Sequence, residues 1–430
     1  MRATGPLAGT TTSTIDAPAP NVAWLVGAAV VLLVAAVDAI VVPGILSPKP
    51  GVPYDAGRPD YFYMADAFLH GRLWLDVPWP QPIADTVVVG GRVYVPFQPF
   101  PGLLLMPLVA VLGLNASIDL EPLVNAVLSG ITVALAWTLL GRLGVRRWTD
   151  RLLLVALFGF GTVIWNITIR GGVWHTAEIV GTGLTLWALC ETRAERPRPW
   201  LLGLLGGAAF FTRSTLLFAL PYYAWVAAGR PAGVDALRSA VRTSPGALAM
   251  LVAGFVPFVV GTGYYNWARF GSPFETGYGL VALPGFLTAL RAQGLFSLVH
   301  LNMNLDYLFL RGPRLEGSVF EWKPDTLGMA VTYSSPALVV GVRSLWGRLP
   351  ETVEARALAL AGALVLAPTL LYYGGGWLQF GYRYLLDSIP FWVALCGLWA
   401  ARRGVGAIWK AVIAWSVGVN AWLVYWTFRL

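Results

Sequence analysis

Between Pro43 and Pro99 a chain otherwise poor in charge gathers Asp55, Arg58, Asp60, Asp66, His70, Arg72 and Asp76 into one polar stretch. Such a density of carboxylates invites acid–base chemistry, and each position has its own reading. Asp55 lies in irregular sequence, where a carboxylate projects freely towards a substrate. Asp60 precedes YFYMADAFLHGRLWL, whose apolar residues Tyr61, Met64, Ala65, Phe68 and Leu69 recur at helical spacing until Gly71. It is either a reactive carboxylate or the N-cap of that helix. Asp66 and His70, four residues apart, share a face and can touch, although a solvated polar face explains them equally well. Asp76 and Asp85 read as ordinary loop charges.

Cations supply the second half of the chemistry. Arg213 interrupts the apolar stretch Trp200 to Gly229, and an arginine at membrane depth needs a partner. A lipid phosphate would serve, and so would a carboxylate on a neighbouring helix. Arg383 sits among Gln379, Tyr382 and Tyr384, which puts several donors near one phosphate. Arg269 falls at a helix end, where snorkelling is the default explanation. Arg170 precedes GGVWHTAE, in which His175 and Glu178 are three apart and so lie on roughly one face, fit for acceptor contact or a metal. A Glu favoured by the helix dipole and a partnered interfacial His explain the same pattern. Two residues do not define a metal site, so no cofactor is assigned and a divalent metal stays open. His300 reads as structural.

These residues must be positioned by membrane helices. Hydrophobic residues fill 57% of the 430 positions, charged ones 12%, and the mean hydropathy is +0.65, which defines an all-α polytopic membrane protein. The net charge of +8 comes from arginines spread through short loops, where it reports topology and gives no support to nucleic-acid binding. Cys190 and Cys396 match no metal or redox spacing, and no disulfide is expected.

Apolar runs of about 20 residues predict spans. They fall at Val22 to Val42, Leu120 to Leu140, Leu152 to Ile169, Val173 to Cys190, Ala247 to Tyr265, Leu327 to Val342, Ala355 to Tyr373, Tyr384 to Ala400 and Val405 to Trp426. Basic loops flank Trp200 to Gly229 on both sides, so two short helices turning near Arg213 keep both loops inside. Pro101 to Leu114 is about 21 Å long as a helix, too short to span, and is placed along the outer interface. The expected organisation is residues 1–21 as a disordered cytoplasmic tail and 22–430 as one domain of about eleven spans. Outer loops 43–119 and 267–326 converge on one face, and the amphipathic segment 283–313 lies along it. No internal repeat is evident, which weakens a transporter reading.

The order of a span, an acidic outer loop, an interfacial helix and then RVYVPFQPFPGLLLMPLVAVLG resembles the GT-C superfamily of lipid-carrier-dependent glycosyltransferases. Within it, the chain is most similar to family 39-like membrane enzymes related to protein O-mannosyltransferases and aminoarabinose transferases. YMADAFLHGRLWL, GLLGGAAFFTRSTLLFALP, YNWARFGSPFETGY and WLQFGYRYLLDSIPFW carry the resemblance across most of the chain. It implies a GT-C-type helical bundle with outer juxtamembrane helices. It also implies inverting transfer of a sugar from a polyprenyl-phosphate donor to the hydroxyl of a glycan, lipid or protein acceptor, at the outer face of a bacterial cytoplasmic membrane. An acidic residue of the first outer loop acts on the hydroxyl, which makes Asp60, Asp55 and Asp66 the catalytic candidates, with Asp60 first. Cationic donors meet the leaving phosphate, a role for Arg213, Arg383, Arg269 and Tyr382. Acceptor contact falls to His70, Arg170, His175, Glu178 and Gln379. The loop departs from better-known relatives in having no Asp-Glu or Asp-x-Asp pair, which leaves the choice among the three aspartates open. A lipid-linked glycan flippase, or an O-antigen ligase or polymerase using a diphosphate-linked donor, are the competing readings.

Overall fold

The computed structural model describes residues 20–41, 61–76, 86–114, 120–283, 285–316, 322–347, 351–376 and 379–427. Most of the expected tail, together with Asp55, Arg58, Asp60 and Asp85, lies outside the described residues. The chain is a helical bundle. It opens with α1 (Pro20–Val41) and α2 (Tyr61–Leu69), followed by the hairpin β1 (Val87–Val89) and β2 (Arg92–Tyr94). Gly90 and Gly91, at φ of 58° and 76°, make the two-residue turn whose twist suits paired strands. Next come α3 (Phe100–Leu112), α4 (Glu121–Arg142), α5 (Trp148–Phe160), α6 (Ile164–Arg170), α7 (Val173–Thr192), α8 (Pro199–Phe210), a 3-10 segment (Ser214–Ala219), α9 (Leu220–Ala227), α10 (Val234–Thr243) and α11 (Pro245–Phe270). The second half holds α12 (Gly285–Arg291), α13 (Leu301–Leu305), a short pairing of β3 (Arg314–Leu315) with β4 (Trp322–Lys323), and α14 (Val331–Ser334). A 3-10 helix (Pro336–Leu345), α15 (Glu351–Leu370), a 3-10 turn (Arg383–Asp387), α16 (Ile389–Arg403) and α17 (Ala407–Thr427) complete it.

Among the described residues, α4, α11, α15 and α17 are long and apolar enough to cross a membrane, and a fifth crossing results if α5 and α6 form one. That pair was expected as a single helix over 152–169 and is instead bent by 49° at 161–163. Thr162 sits at the bend and donates its hydroxyl to the Phe158 carbonyl, four residues back, a side-chain bond that competes with the helical ladder. The span expected over 327–342 differs too, being the single turn of α14 followed by the 3-10 helix. Pro336 starts that second segment, since the residue before a proline is pushed out of helical geometry.

Close packing rather than lipid aversion holds such helices together, and glycines permit it. A Cβ on Gly203 of α8 would stand 2.0 Å from the Leu251 carbonyl oxygen of α11, and one on Gly254 would stand 2.3 Å from the Trp200 carbonyl oxygen. The core between α4, α5, α7, α8, α15 and α16 is filled by Leu139, Leu157, Phe158, Leu186, Leu202 and Phe391, all buried.

Two ends of the bundle differ in chemistry. At one, Arg142 donates to the Cys190 carbonyl at 2.5 Å, Arg198 pairs with Glu191 at 2.8 Å, and Arg230 binds both the Thr192 carbonyl and Glu354. Because Arg198 precedes α8 and Arg230 follows α9, the chain between them reverses, with Gly206 against the Tyr223 ring. This is the turn near Arg213 expected from the flanking basic loops.

Candidate functional site

The opposite end is built around that turn. Phe211 accepts at its carbonyl from Phe100 N at 3.2 Å, and Gln98 Nε2 donates to Ser214 Oγ at 3.0 Å, so the start of α3 is fastened to the bend. Tyr61, the first residue of α2, is fully buried and donates its hydroxyl to the Gln98 carbonyl at 3.1 Å. The start of α7 comes to the same end. Gly172, at φ of 100°, donates its N–H to Glu121 of α4 at 2.9 Å, and the Thr176 hydroxyl donates to the same carboxylate. A carboxylate at a helix N-terminus is where the free N–H groups and the dipole favour it.

Glu178 lies further along α7, and here the structure joins residues that are far apart in sequence. Its Oε1 is 3.2 Å from Arg383 Nη1 and 3.6 Å from Arg213 Nη1. Arg213 Nε donates to Asp387 Oδ1 at 2.5 Å, and the Thr215 hydroxyl donates to Asp387 Oδ2 at 2.6 Å. Arg383 Nη2 donates to the Tyr384 hydroxyl at 3.1 Å, and its guanidinium lies over the Tyr384 and Trp174 rings at 4.7 and 5.5 Å. Tyr278, from the segment after α11, is within electrostatic range of Arg213 and Tyr61. The layering matters: the side chains of Glu178 and Asp387 are 0% exposed, while those of Arg213 and Arg383 are 15% and 10% exposed. The two arginine side chains are therefore the more accessible members of the cluster, and the two carboxylates are fully buried. Guanidiniums are the side chains best suited to recognising phosphate and carboxylate anions.

Other candidates are placed differently. Arg269 is spent on structure. Its Nη1 donates to the Val95 carbonyl at 2.7 Å, its Nη2 to Asn266 Oδ1 at 3.0 Å, and its Nε to the Tyr265 carbonyl, clamping the segment after β2 onto α11. Tyr382 donates towards Asn304 Oδ1 and the Thr369 carbonyl in the interior. Gln379 supports Arg383 rather than a ligand, accepting from its backbone N at 3.2 Å while donating to the Leu327 and Gly375 carbonyls. His175 bonds the Gly171 carbonyl, one turn back at the start of α7. Arg170 lies over the Phe380 ring at 6.0 Å. Asp66 pairs with Arg72 at 3.4 Å and His70 at 3.5 Å on the partly exposed side of α2, and Arg72 also reaches Asp76. Among the described residues no group of three or more His, Cys, Asp or Glu is placed to hold a metal.

Asp387 and Thr215 escaped the sequence reading. The signal was present in part: a charged residue within YLLDSIPF, in a chain where Arg213 needs a partner.

In the segment after α11, Asn304 Nδ2 donates to the Leu370 and Tyr372 carbonyls, tying α13 to the end of α15 beside Arg383's turn. Asp325 there takes both Arg311 at 3.1 Å and Arg314 at 2.7 Å. For Arg311, burial lowers the affinity for its proton, but the hydrogen bond to Asp306 and the Asp325 charge outweigh it and hold the guanidinium above its ordinary pKa.

No family model matches the sequence, and no curated protein matches it. Among solved structures, the chain is similar to the apo form of the Archaeoglobus fulgidus oligosaccharyltransferase, with 13% identity and a TM-score of 0.46 over 93% of this chain and 55% of that one. The chain spans about half the length of that enzyme, and the likeness is too low to assign chemistry.

Proposed function

We propose that this chain is an integral membrane glycosyltransferase that moves a sugar, with inversion, from a polyprenyl-phosphate donor to an acceptor hydroxyl at the outer face of a bacterial cytoplasmic membrane. The observation that supports it most is the pair of guanidiniums, Arg213 and Arg383, set against buried carboxylates. They lie at the bundle end remote from the basic loops. The positive-inside rule turns the basic end to the cytoplasm and so turns this end outwards. In this reading the chain makes eleven passes with its N-terminus inside: α1, α4, α5 with α6, α7, α8, 214–227, α11, 331–345, α15, 383–403 and α17. The short and broken passes are tolerated where they face protein rather than lipid.

The phosphate of the donor rests on Arg213 and Arg383, which stabilise the charge that grows as the bond between the sugar carbon and the phosphate oxygen breaks. A carboxylate of the polar stretch, Asp60 ahead of Asp55 and Asp66, draws the proton from the acceptor hydroxyl. Asp60 is the residue before Tyr61, whose ring and hydroxyl are anchored at this site. The test uses membranes enriched in the protein and supplied with polyprenyl-phosphate sugars. Wild type is expected to consume one of them, and the Arg213→Ala/Arg383→Ala and Asp55→Ala/Asp60→Ala/Asp66→Ala variants are not. No consumption by wild type, with full complementation of a deletion by the triple variant, refutes the proposal.

A further inference from the structure

We infer that Glu178 distinguishes product from donor by charge and so sets the rate at which the spent lipid leaves; the inference rests on the donor and site proposed above. The transfer changes the charge on the phosphate. A sugar joined through phosphate to a polyprenyl chain is a phosphodiester with one negative charge. When the sugar carbon leaves that phosphate oxygen for the acceptor oxygen, the hydroxyl proton passes to a carboxylate or to solvent. What remains is a phosphomonoester whose charge at pH 7 is about −1.5 to −2, as for other monoesters with a second pKa near 6. A bare pair of arginines would hold this product more tightly than the donor it replaces. Turnover would then stall on product.

Glu178 opposes that bias. One carboxylate oxygen, Oε1, faces both Arg213 and Arg383, while Oε2 is buried with no hydrogen-bond partner among the described residues. Where Glu178 is ionised, its charge faces both guanidiniums through Oε1. Asp387 is committed to Arg213 and the Thr215 hydroxyl, and contributes a second negative charge at the same depth. Among the described residues, the ionisable groups around the site include Glu178 on α7, Arg213 on the turn after α8, Arg383, Tyr384 and Asp387 on the turn before α16, Tyr278 after α11, Tyr61 on α2, Tyr372 after α15 and Glu121 on α4. With both carboxylates ionised, its two arginines and two nearest carboxylates sum to zero. The site attracts a phosphate through directed donors, and its field does not grow steeply with the ligand's second charge.

The experiment measures binding of undecaprenyl phosphate and of a dialkyl phosphodiester to the purified full-length protein in detergent, for wild type and Glu178→Gln. Glutamine keeps the shape and removes the charge. The expected result is tighter binding of both ligands by the variant, with the monoester gaining roughly tenfold more than the diester, as one unscreened charge at a partly buried site allows. Turnover of the variant falls while its KM for donor falls too. Equal gains for the two ligands, or none, overturn the inference and leave the site reading standing. Failure of folded wild type to bind either phosphate overturns both. Should Glu178→Gln not fold, wild type alone decides. At pH 8, where the monoester carries its second charge, it should prefer monoester over diester by less than about threefold. A preference of tenfold or more overturns the inference.

Discussion

Replacing Asp387 by alanine tests the buried charge layer most directly. Asp387 is fully buried and uses both oxygens, one for Arg213 and one for Thr215. Removal leaves the Arg213 guanidinium with Glu178 at 3.6 Å as its remaining ionic partner, beyond hydrogen-bond distance. Breaking a buried pair from one side costs about 3–5 kcal/mol, because the surviving charge stays in a poorly solvated place. Arg213 is 15% exposed and can recruit some water, so the lower end applies, about 3 kcal/mol. The assay is equilibrium unfolding in mixed detergent micelles. A companion variant makes the reasoning refutable: Arg213→Met with Asp387→Leu removes both charges, while Glu178 keeps Arg383 at 3.2 Å. Replacing both partners by apolar residues of similar size is near neutral or stabilising, so the double variant should recover most of the loss. Its binding of polyprenyl phosphate should nevertheless be abolished, because one of the two guanidiniums is gone. A single variant that loses less than about 1 kcal/mol, or a double variant no more stable than the single, refutes the idea that Asp387 neutralises Arg213.

Arg269→Met should cost about 2 kcal/mol through the lost bond to the Val95 carbonyl, yet leave the donor KM within about twofold, whereas Arg383→Met raises that KM at least tenfold. Michaelis–Menten kinetics on folded protein separates the two, and equal KM effects would contradict the division of roles. Asp66→Ala breaks contacts to Arg72 and His70 that lie partly exposed, so its effect on stability should stay under about 1 kcal/mol and turnover should largely persist, while Asp60→Ala abolishes turnover. Rates from the two variants measured side by side decide it, and a dead Asp66→Ala with an active Asp60→Ala reverses the assignment. Gly203→Leu should prevent a folded bundle, since even a methyl carbon there would stand 2.0 Å from the Leu251 carbonyl oxygen, and size-exclusion profiles in detergent would show aggregation in place of a single peak.

What the sequence disclosed and what it hid follow from how far each signal reaches along the chain. The helix over 61–69 was legible because periodicity and the Gly71 stop act within a few residues. So was the turn at Arg213, because charge on two flanking loops restricts where an apolar stretch can go. Breaks at 161–163 and 334–336 leave the mean apolar character unchanged and depend on single Thr, Ser and Pro residues, so hydropathy passed over them. Arg213 illustrates the deepest limit. Its cost at membrane depth was readable from sequence, but a phosphate and a carboxylate satisfied that cost equally well. The structure supplies the carboxylates, Asp387 from 174 residues away and Glu178 from the helix next to it. Those partners do not remove the phosphate from consideration, because both carboxylates are fully buried while the two arginine side chains keep some exposure. Arg269 shows the converse. It sat at a helix end like a phosphate ligand, yet a backbone carbonyl and an asparagine take its donors. An arginine's type and position fix that it must have acceptors; only the fold decides whether those acceptors are already in the chain or must arrive with a substrate.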